Sequence, residues 1–234
     1  MKILSVNAGS SSLKFTLFDM PEEKELISGV FERIGIENSF YTIKLNGEKI
    51  KKETELKDHK AAFELLVKEL IDNKIVDSLD EIAGIGHRIV QGGSYFDKTV
   101  LATEDNISIV EKLSSLAPLH NPAAVMGIKA AQELIPNKPM VAVFDTAFHQ
   151  TMPKEHYIYP IPYKYYNEYG VRKYGFHGTS HQYVANRVAE LEGKPIEDLR
   201  IISCHLGQGG SICAVQGGKS VETSMGLTPN AGLI

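Results

Sequence analysis

Two segments at opposite ends of the chain share a layout suited to holding an anion. Ile3-Leu4-Ser5-Val6-Asn7-Ala8-Gly9-Ser10-Ser11-Ser12 runs from an apolar strand through a polar residue into a Gly/Ser turn. Ile201-Ile202-Ser203-Cys204-His205-Leu206-Gly207-Gln208-Gly209-Gly210-Ser211 repeats that plan. Glycine accepts positive φ and close backbone approach, so such turns aim several N–H groups at one anion. Serine hydroxyls add donors, and Lys14 puts a charge on the strand that follows the first turn. Either turn alone is equally well a tight hairpin with no ligand. The pair together favours phosphate. Other nucleotide signatures fail: Gly93-Ser94-Tyr95-Phe96-Asp97-Lys98-Thr99 has no glycine before its lysine, and Gly207-Gln208-Gly209 meets Ile212 where a third glycine is needed.

The histidines and carboxylates supply the remaining candidates. His177-Gly178-Thr179-Ser180-His181 holds an i, i+4 histidine pair without the glutamate of a zinc protease. Thr179 or Ser180 is expected to cap the helix that follows, leaving His177 before it, in the positive field of its N-terminus. Cys204, His205 and Cys213 match no standard zinc spacing. Asp145 closes an apolar run, where open α/β sheets place functional groups; a carboxylate capping the next turn at Thr146 is the equal alternative. Arg88, inside His87-Arg88-Ile89-Val90, needs a carboxylate partner, with one from the protein itself as the default and one from a ligand as the alternative. Phe144, Phe148 and Phe176 read as core.

The elements that must position these residues follow from periodicity. Residues 2–7 and 13–18 form a hairpin, a third strand falls near 27–33, and Phe40–Leu45 with Glu48–Ile50 makes a second hairpin about a type I′ Asn46-Gly47 turn. A helical stripe covers 59–74, and residues 82–90 return to strand. Asp105 is expected to cap a helix to about 116, and Asn121-Pro122 one to about 135. Residues 139–144 suit a buried strand. Residues 151–175, rich in Pro and Tyr, look irregular and mark the best boundary, giving domains 1–150 and 151–234. A helix at 180–192, a strand at 200–205 and glycine-rich hairpins follow. The order argues an α/β fold with a mixed sheet and flanking helices.

With 234 residues the chain exceeds one average domain and falls short of two. It is 43% hydrophobic and 23% charged with a net charge of −4, so it can build a core, and disorder and collagen are excluded. No basic stripe suits nucleic acid; Lys49-Ile50-Lys51-Lys52 runs at once into Glu53 and Glu55 and reads as a solvated hairpin edge. No apolar run reaches the length of a membrane span, and the start is too short and polar for a signal peptide. Two cysteines make no disulfide framework. The expectation is a soluble cytoplasmic protein with no membrane or nucleic-acid partner.

Five segments together resemble the acetate kinase family: Asn7-Ala8-Gly9-Ser10-Ser11-Ser12-Leu13-Lys14, His87-Arg88-Ile89-Val90-Gln91-Gly92-Gly93, Phe144-Asp145-Thr146-Ala147-Phe148-His149, Tyr174-Gly175-Phe176-His177-Gly178-Thr179-Ser180-His181 and His205-Leu206-Gly207-Gln208-Gly209. They stand in family order along the whole chain. The resemblance implies two RNase H-like domains of the actin, sugar kinase and heat-shock ATPase type around a cleft, which accounts for the repeated turn. It implies reversible phosphoryl transfer from ATP to acetate with Mg2+, giving acetyl phosphate and ADP.

Carried over on the matching positions, the resemblance assigns Asn7 to Mg2+ and Lys14, with Ser10 and Ser12 of its turn, to nucleotide phosphate. Arg88 takes the substrate carboxylate or its phosphoryl group, Asp145 is the proton donor/acceptor position and His177 stabilises the transition state. His205, Leu206, Gly207, Gln208 and Gly209 form the second phosphate loop. Val90, Leu119, Phe176 and Pro229 hold the acetate methyl, with His120 beside them. Acetate is already ionised at pH 7, so Asp145 need not remove a proton and reads better as an orienting group.

The sequence departs from the family at Gln91 (usually His), Gln208 (usually Asn) and Leu227 (usually Phe). Family members also run past Thr228-Pro229-Asn230-Ala231-Gly232-Leu233-Ile234 into a second catalytic arginine, adenosine-binding segments and a late Mg2+ glutamate. The expectations are therefore an incomplete second domain, little or no kinase activity in these residues alone, and the family homodimer only for the full-length protein. Propionate or butyrate as substrate, or a non-catalytic phosphate-binding role, are the alternatives.

Overall fold

Alternating apolar and polar residues lay down five consecutive antiparallel strands at the start of the chain. The computed structural model describes residues 1–233. The strands are β1 (Lys2–Gly9), β2 (Ser12–Asp19), β3 (Lys24–Glu32), β4 (Phe40–Leu45) and β5 (Glu48–Glu53). Asn46 and Gly47 join the last two with φ of 52° and 85°, positive at both positions as a type I′ turn requires. Strand β5 is largely exposed, and its lysines blunt a sheet edge as the charge pattern predicts.

Helix α1 (His59–Asp72) leads to β6 (Ile82–Ile89), which pairs in parallel with β1. The short β7 (Val100–Leu101) and β8 (Met140–Phe144) complete an eight-stranded mixed sheet of order β5-β4-β3-β2-β1-β6-β8-β7. Helices α2 (Glu104–Lys112) and α3 (Asn121–Leu134) come between β7 and β8 in the chain. Alternation along β1 buries Leu4, Val6 and Ala8. A Cβ on Gly127 of α3 would stand 3.0 Å from that of Ala8, so this glycine lets helix and strand approach.

One charge lies in this core. Glu69 of α1 is 4% exposed and accepts from Tyr41 Oη, from Lys52 Nζ at 3.2 Å and from Asn73 Nδ2 at 2.8 Å. Burial works to raise its pKa, but these donors outweigh it and hold the carboxyl below its ordinary value.

The starts of α2 and α3 differ from the sequence reading. Thr103, not Asp105, caps α2, accepting from the Asn106 N–H at 3.3 Å; Asp105 lies inside the first turn. Asn121 does not cap α3 with its side chain, which donates instead to the Val110 carbonyl at 3.2 Å.

The chain divides into two compact units. The first comprises Met1–Ile89, Val100–Ser114 and Pro118–Ala142; the second comprises Val90–Thr99, Ser115–Ala117 and the chain from Val143 onward. The second unit holds α4 (Lys154–Tyr157), α5 (Lys164–Tyr169) and α6 (Gly178–Glu192). Its antiparallel sheet is formed by β9 (Arg200–Leu206), β10 (Gly210–Gln216) and β11 (Lys219–Thr223), in the order β11-β10-β9. Phe148, Ala185, Cys213 and Val215 form a buried cluster with Ile196 and Ile201 packed on it.

The Tyr-rich stretch is more ordered than its composition suggests. It contains α4 and α5, and the buried Arg172 guanidinium lies 3.6 Å above the Tyr157 ring and 5.2 Å from that of Tyr174. Among the described residues, no helix is long and apolar enough to cross a membrane.

Candidate active site

In the first unit, the β1–β2 turn gathers Asn7, Ser10, Ser12 and Lys14. Asn7 and Lys14 face each other across the ladder. A Cβ on Gly9 would stand 2.9 Å from Ser12 Oγ, so the serine side chain packs closely over the glycine. The ring of His59 fixes the turn from below by a 2.6 Å hydrogen bond to the Gly9 carbonyl. Lys14 and Ser10 are exposed, while Asn7 and Ser12 are half-buried. Arg88, near the end of β6, is half-buried. Its neighbour His87 is buried, and that burial lowers its pKa to about 4, so the ring is neutral at pH 7. Leu119 is 69% exposed, and His120 occupies the position before α3.

In the second unit, Asp145 follows directly on β8 and is 2% exposed. Its backbone carbonyl accepts from the Gly178 N–H at 2.8 Å, and its carboxylate Oδ2 accepts from the His177 N–H at 3.4 Å. Asp145 thus grips the start of α6. Thr146 turns the other way, its Oγ1 accepting from the Gly92 N–H at 3.0 Å. Gly93 N–H donates to Gln91 Oε1 at 2.8 Å, so the amide at that position closes its own turn. Val90, before that turn, is half-buried.

His177 itself occupies the cap position of α6, with φ 58° and no side-chain cap bond. Thr179 and Ser180, the expected caps, lie inside the helix. This backbone frees the imidazole to pack elsewhere: it stacks on His205 with ring centres 4.0 Å apart and planes 21° from parallel. His205 Nδ1 meets Ser180 Oγ at 2.9 Å. The glycine turn lies against the same ring, since a Cβ on Gly209 would stand 3.6 Å from His177 Cε1 and 3.8 Å from Nε2. Leu206 is 77% exposed beside Gly207 and Gln208.

Ser211 joins the histidines from below. Its hydroxyl lies 2.9 Å from His177 Nδ1 and 2.8 Å from His181 Nε2. The i, i+4 histidine pair thus meets at a serine that sequence reasoning did not single out. Its only sequence signal is its place directly after the glycine turn; the register opposite His205 is a tertiary fact.

The cysteines, the phenylalanines and Pro229 also lie in the second unit. Cys204 is exposed and Cys213 buried, so with His205 they form no metal site; among the described residues no group of three metal-ligating side chains exists. Burial raises the Cys213 thiol to about 11. Phe176 is buried, and its carbonyl meets His149 Nε2 at 2.9 Å. Phe144 and Phe148 are core, as expected. Pro229 is exposed at the start of a short 3-10 turn.

The fold and these turns define an α/β protein of two compact units, and comparison with known proteins gives its family. The acetokinase family model matches residues 2–234. The chain belongs to the acetokinase family. It is 61% identical over 232 residues to an acetate kinase of Bacillus cytotoxicus and 60% identical to one of Anoxybacillus flavithermus. Each match covers 99% of this chain and 58% of the relative, so the chain spans a little over half the length of these curated proteins. Among solved structures, Porphyromonas gingivalis acetate kinase superposes with a TM-score of 0.94 at 44% identity, over 97% of this chain and 58% of that one. A propionate kinase from Francisella tularensis reaches 0.91 at 45% identity, again over 97% and 58%. This likeness bears out the RNase H-like α/β expectation.

Proposed function

We propose that these residues serve reversible phosphoryl transfer between ATP and acetate, giving ADP and acetyl phosphate. The supporting observation is the convergence of Asp145, His177, His205 and Gly209 from three separate chain segments around one stacked histidine pair. Phosphoryl transfer needs positioned donors and cations about the moving oxygens more than covalent chemistry.

Lys14, the turn at Ser10 and Ser12, and the turn from His205 through Leu206, Gly207 and Gln208 to Gly209 bind phosphate oxygens. Arg88 pairs with the carboxylate or the transferred group. His177 donates to the transferred phosphoryl group, and Asp145 holds His177 in place through its backbone. Val90, Leu119, His120, Phe176 and Pro229 are assigned to the acetate methyl.

Asn7 offers one amide oxygen, and no group of three metal-ligating side chains exists among the described residues. That donor set fits Mg2+ carried on nucleotide phosphates with most of its waters retained. When bound, the ion neutralises phosphate charge. The family homodimer is assigned to the full-length protein.

A chimaera carrying these 234 residues in place of the matching part of the Bacillus cytotoxicus enzyme tests the reading. Hydroxylamine trapping should detect acetyl phosphate, and His177→Ala should lower the rate about 10²-fold or more. No acyl phosphate from acetate, propionate or butyrate would sink the proposal. The 234 residues alone should turn over about 10³-fold or more below the chimaera, as losing a transition-state cation implies. Likeness to a propionate kinase favours one second reading, a longer acid. Comparing kcat/KM separates them, with about 1–3 kcal/mol available per methylene.

A further inference from the structure

We propose that Ser211 and His181 are positioning residues for His177, fixing its imidazole with a proton on Nε2 and an acceptor at Nδ1. The proposal rests on the reading above that His177 faces the transferred phosphoryl group. Ser211 Oγ stands 2.9 Å from His177 Nδ1 and 2.8 Å from His181 Nε2, and His181 Nδ1 stands 2.9 Å from Ser203 Oγ. Ser211 and His181 are both 0% exposed and Ser203 is 3% exposed, so water does not compete for these atoms.

A hydroxyl carries one proton, so Ser211 donates to one ring and accepts from the other. Burial, with the neighbouring histidines His149, His177 and His205, lowers His181 to about 4. At pH 7 it is neutral, with one donor and one acceptor nitrogen. For a singly protonated His177 ring, two arrangements satisfy the hydrogen bonds at Ser211. In one, His181 Nε2–H donates to Ser211, Ser211 O–H donates to His177 Nδ1, and His177 keeps its proton on Nε2. The reverse leaves a lone pair on His177 Nε2, the nitrogen nearest Gly209. A lone pair there repels an anion's oxygens, while an N–H binds them. The first arrangement also leaves both rings in the Nε2–H tautomer that a free histidine side chain favours in water.

The orientation is held from every side that matters: the Asp145 carboxylate fixes the His177 backbone, and His205 stacks on the ring. Ser203 closes the series by donating to His181 Nδ1. Binding energy in the site is then not spent on choosing the tautomer.

Two-bond proton–nitrogen correlation spectra of the chain with ring-15N histidine, at pH 7.5, test this directly. His177 is assigned by its loss in His177→Gln. The expected spectrum shows His177 Nδ1 far downfield, as an unprotonated acceptor, and Nε2 at the protonated position. Ser211→Ala should move both His177 signals toward the average of the two tautomers while His87, outside the network, keeps its shifts. Ser211→Thr, which retains a hydroxyl, should restore the original pattern. A wild-type His177 protonated on Nδ1, or unchanged His177 signals in Ser211→Ala, would overturn the proposal. Should Ser211→Ala not fold, the wild-type and Ser211→Thr spectra decide it, since both must show Nε2–H. The readout needs no turnover, so loss of activity in the chimaera and loss of this tautomer are separate results.

Discussion

His177 sits in a left-handed backbone conformation at φ 58°, a cost on the order of 1–3 kcal/mol for a residue with a side chain. The next residue makes that conformation affordable in space: a Cβ on Gly178 would stand 2.3 Å from the Asp145 carbonyl oxygen. Gly178→Ala is therefore expected to cost about 2 kcal/mol or more by pushing α6 off Asp145. Gly193→Ala, at φ +61° with nothing within 4 Å, should cost only about 1 kcal/mol. Urea midpoints compare the two, and equal losses would show that the Asp145 contact does not constrain the helix.

The buried histidines predict an acid limit. His87 and His149 are both lowered to about 4 by burial. The unfolded chain binds these protons near pH 6.5 while the folded chain refuses them until about 4, so stability falls as pH drops through that window. Each contributes a loss on the order of 3 kcal/mol by pH 4. Urea titrations followed by circular dichroism at several pH values should show the midpoint falling from pH 7 to 4. A flat profile would mean that these rings are solvated.

At the level of elements, capping separates what pattern reveals from what geometry selects. The apolar stripe locates α2, but Thr103 and Asp105 are both legitimate cap residues, and only the backbone turn at Thr103 decides between them. Thr103→Ala should cost about 1 kcal/mol and Asp105→Ala a few tenths, through the helix dipole alone. Thermal melts giving the opposite order would reverse the assignment. The same limit applies to α6: Thr179 and Ser180 carry the cap signal, yet the chain enters through His177. The strands were more legible, because a period of two and an Asn-Gly turn specify a hairpin locally. Asn7 opposite Lys14 followed from that hairpin; Ser211 opposite His205 needed the register of β9 and β10.

Across the molecule, the two sheets differ in protection. Strand β1 has neighbours on both sides within eight strands. Among the described residues, β9 pairs with β10 alone, and its Ile202 and Leu206 are 67% and 77% exposed. Amide exchange in this 234-residue chain should be slowest along β1 and β6 and markedly faster along β9. Equal protection would require β9 to be covered, and a concentration-dependent mass in solution would identify a second copy as the cover.

The sequence alone determined the main strands and longer helices, the two glycine turns and the family, because periodicity, turn chemistry and contiguous motifs are local properties. It located His177, His181 and His205 without saying how they meet. Tertiary structure made that decision by seating one buried hydroxyl, Ser211, between two imidazoles and stacking a third on the first. It likewise turned Asp145 toward α6 and parted Cys204 from Cys213. The physical reason is range: a hydrogen bond depends on a few tenths of an ångström between groups far apart in the chain, and no local pattern encodes that distance.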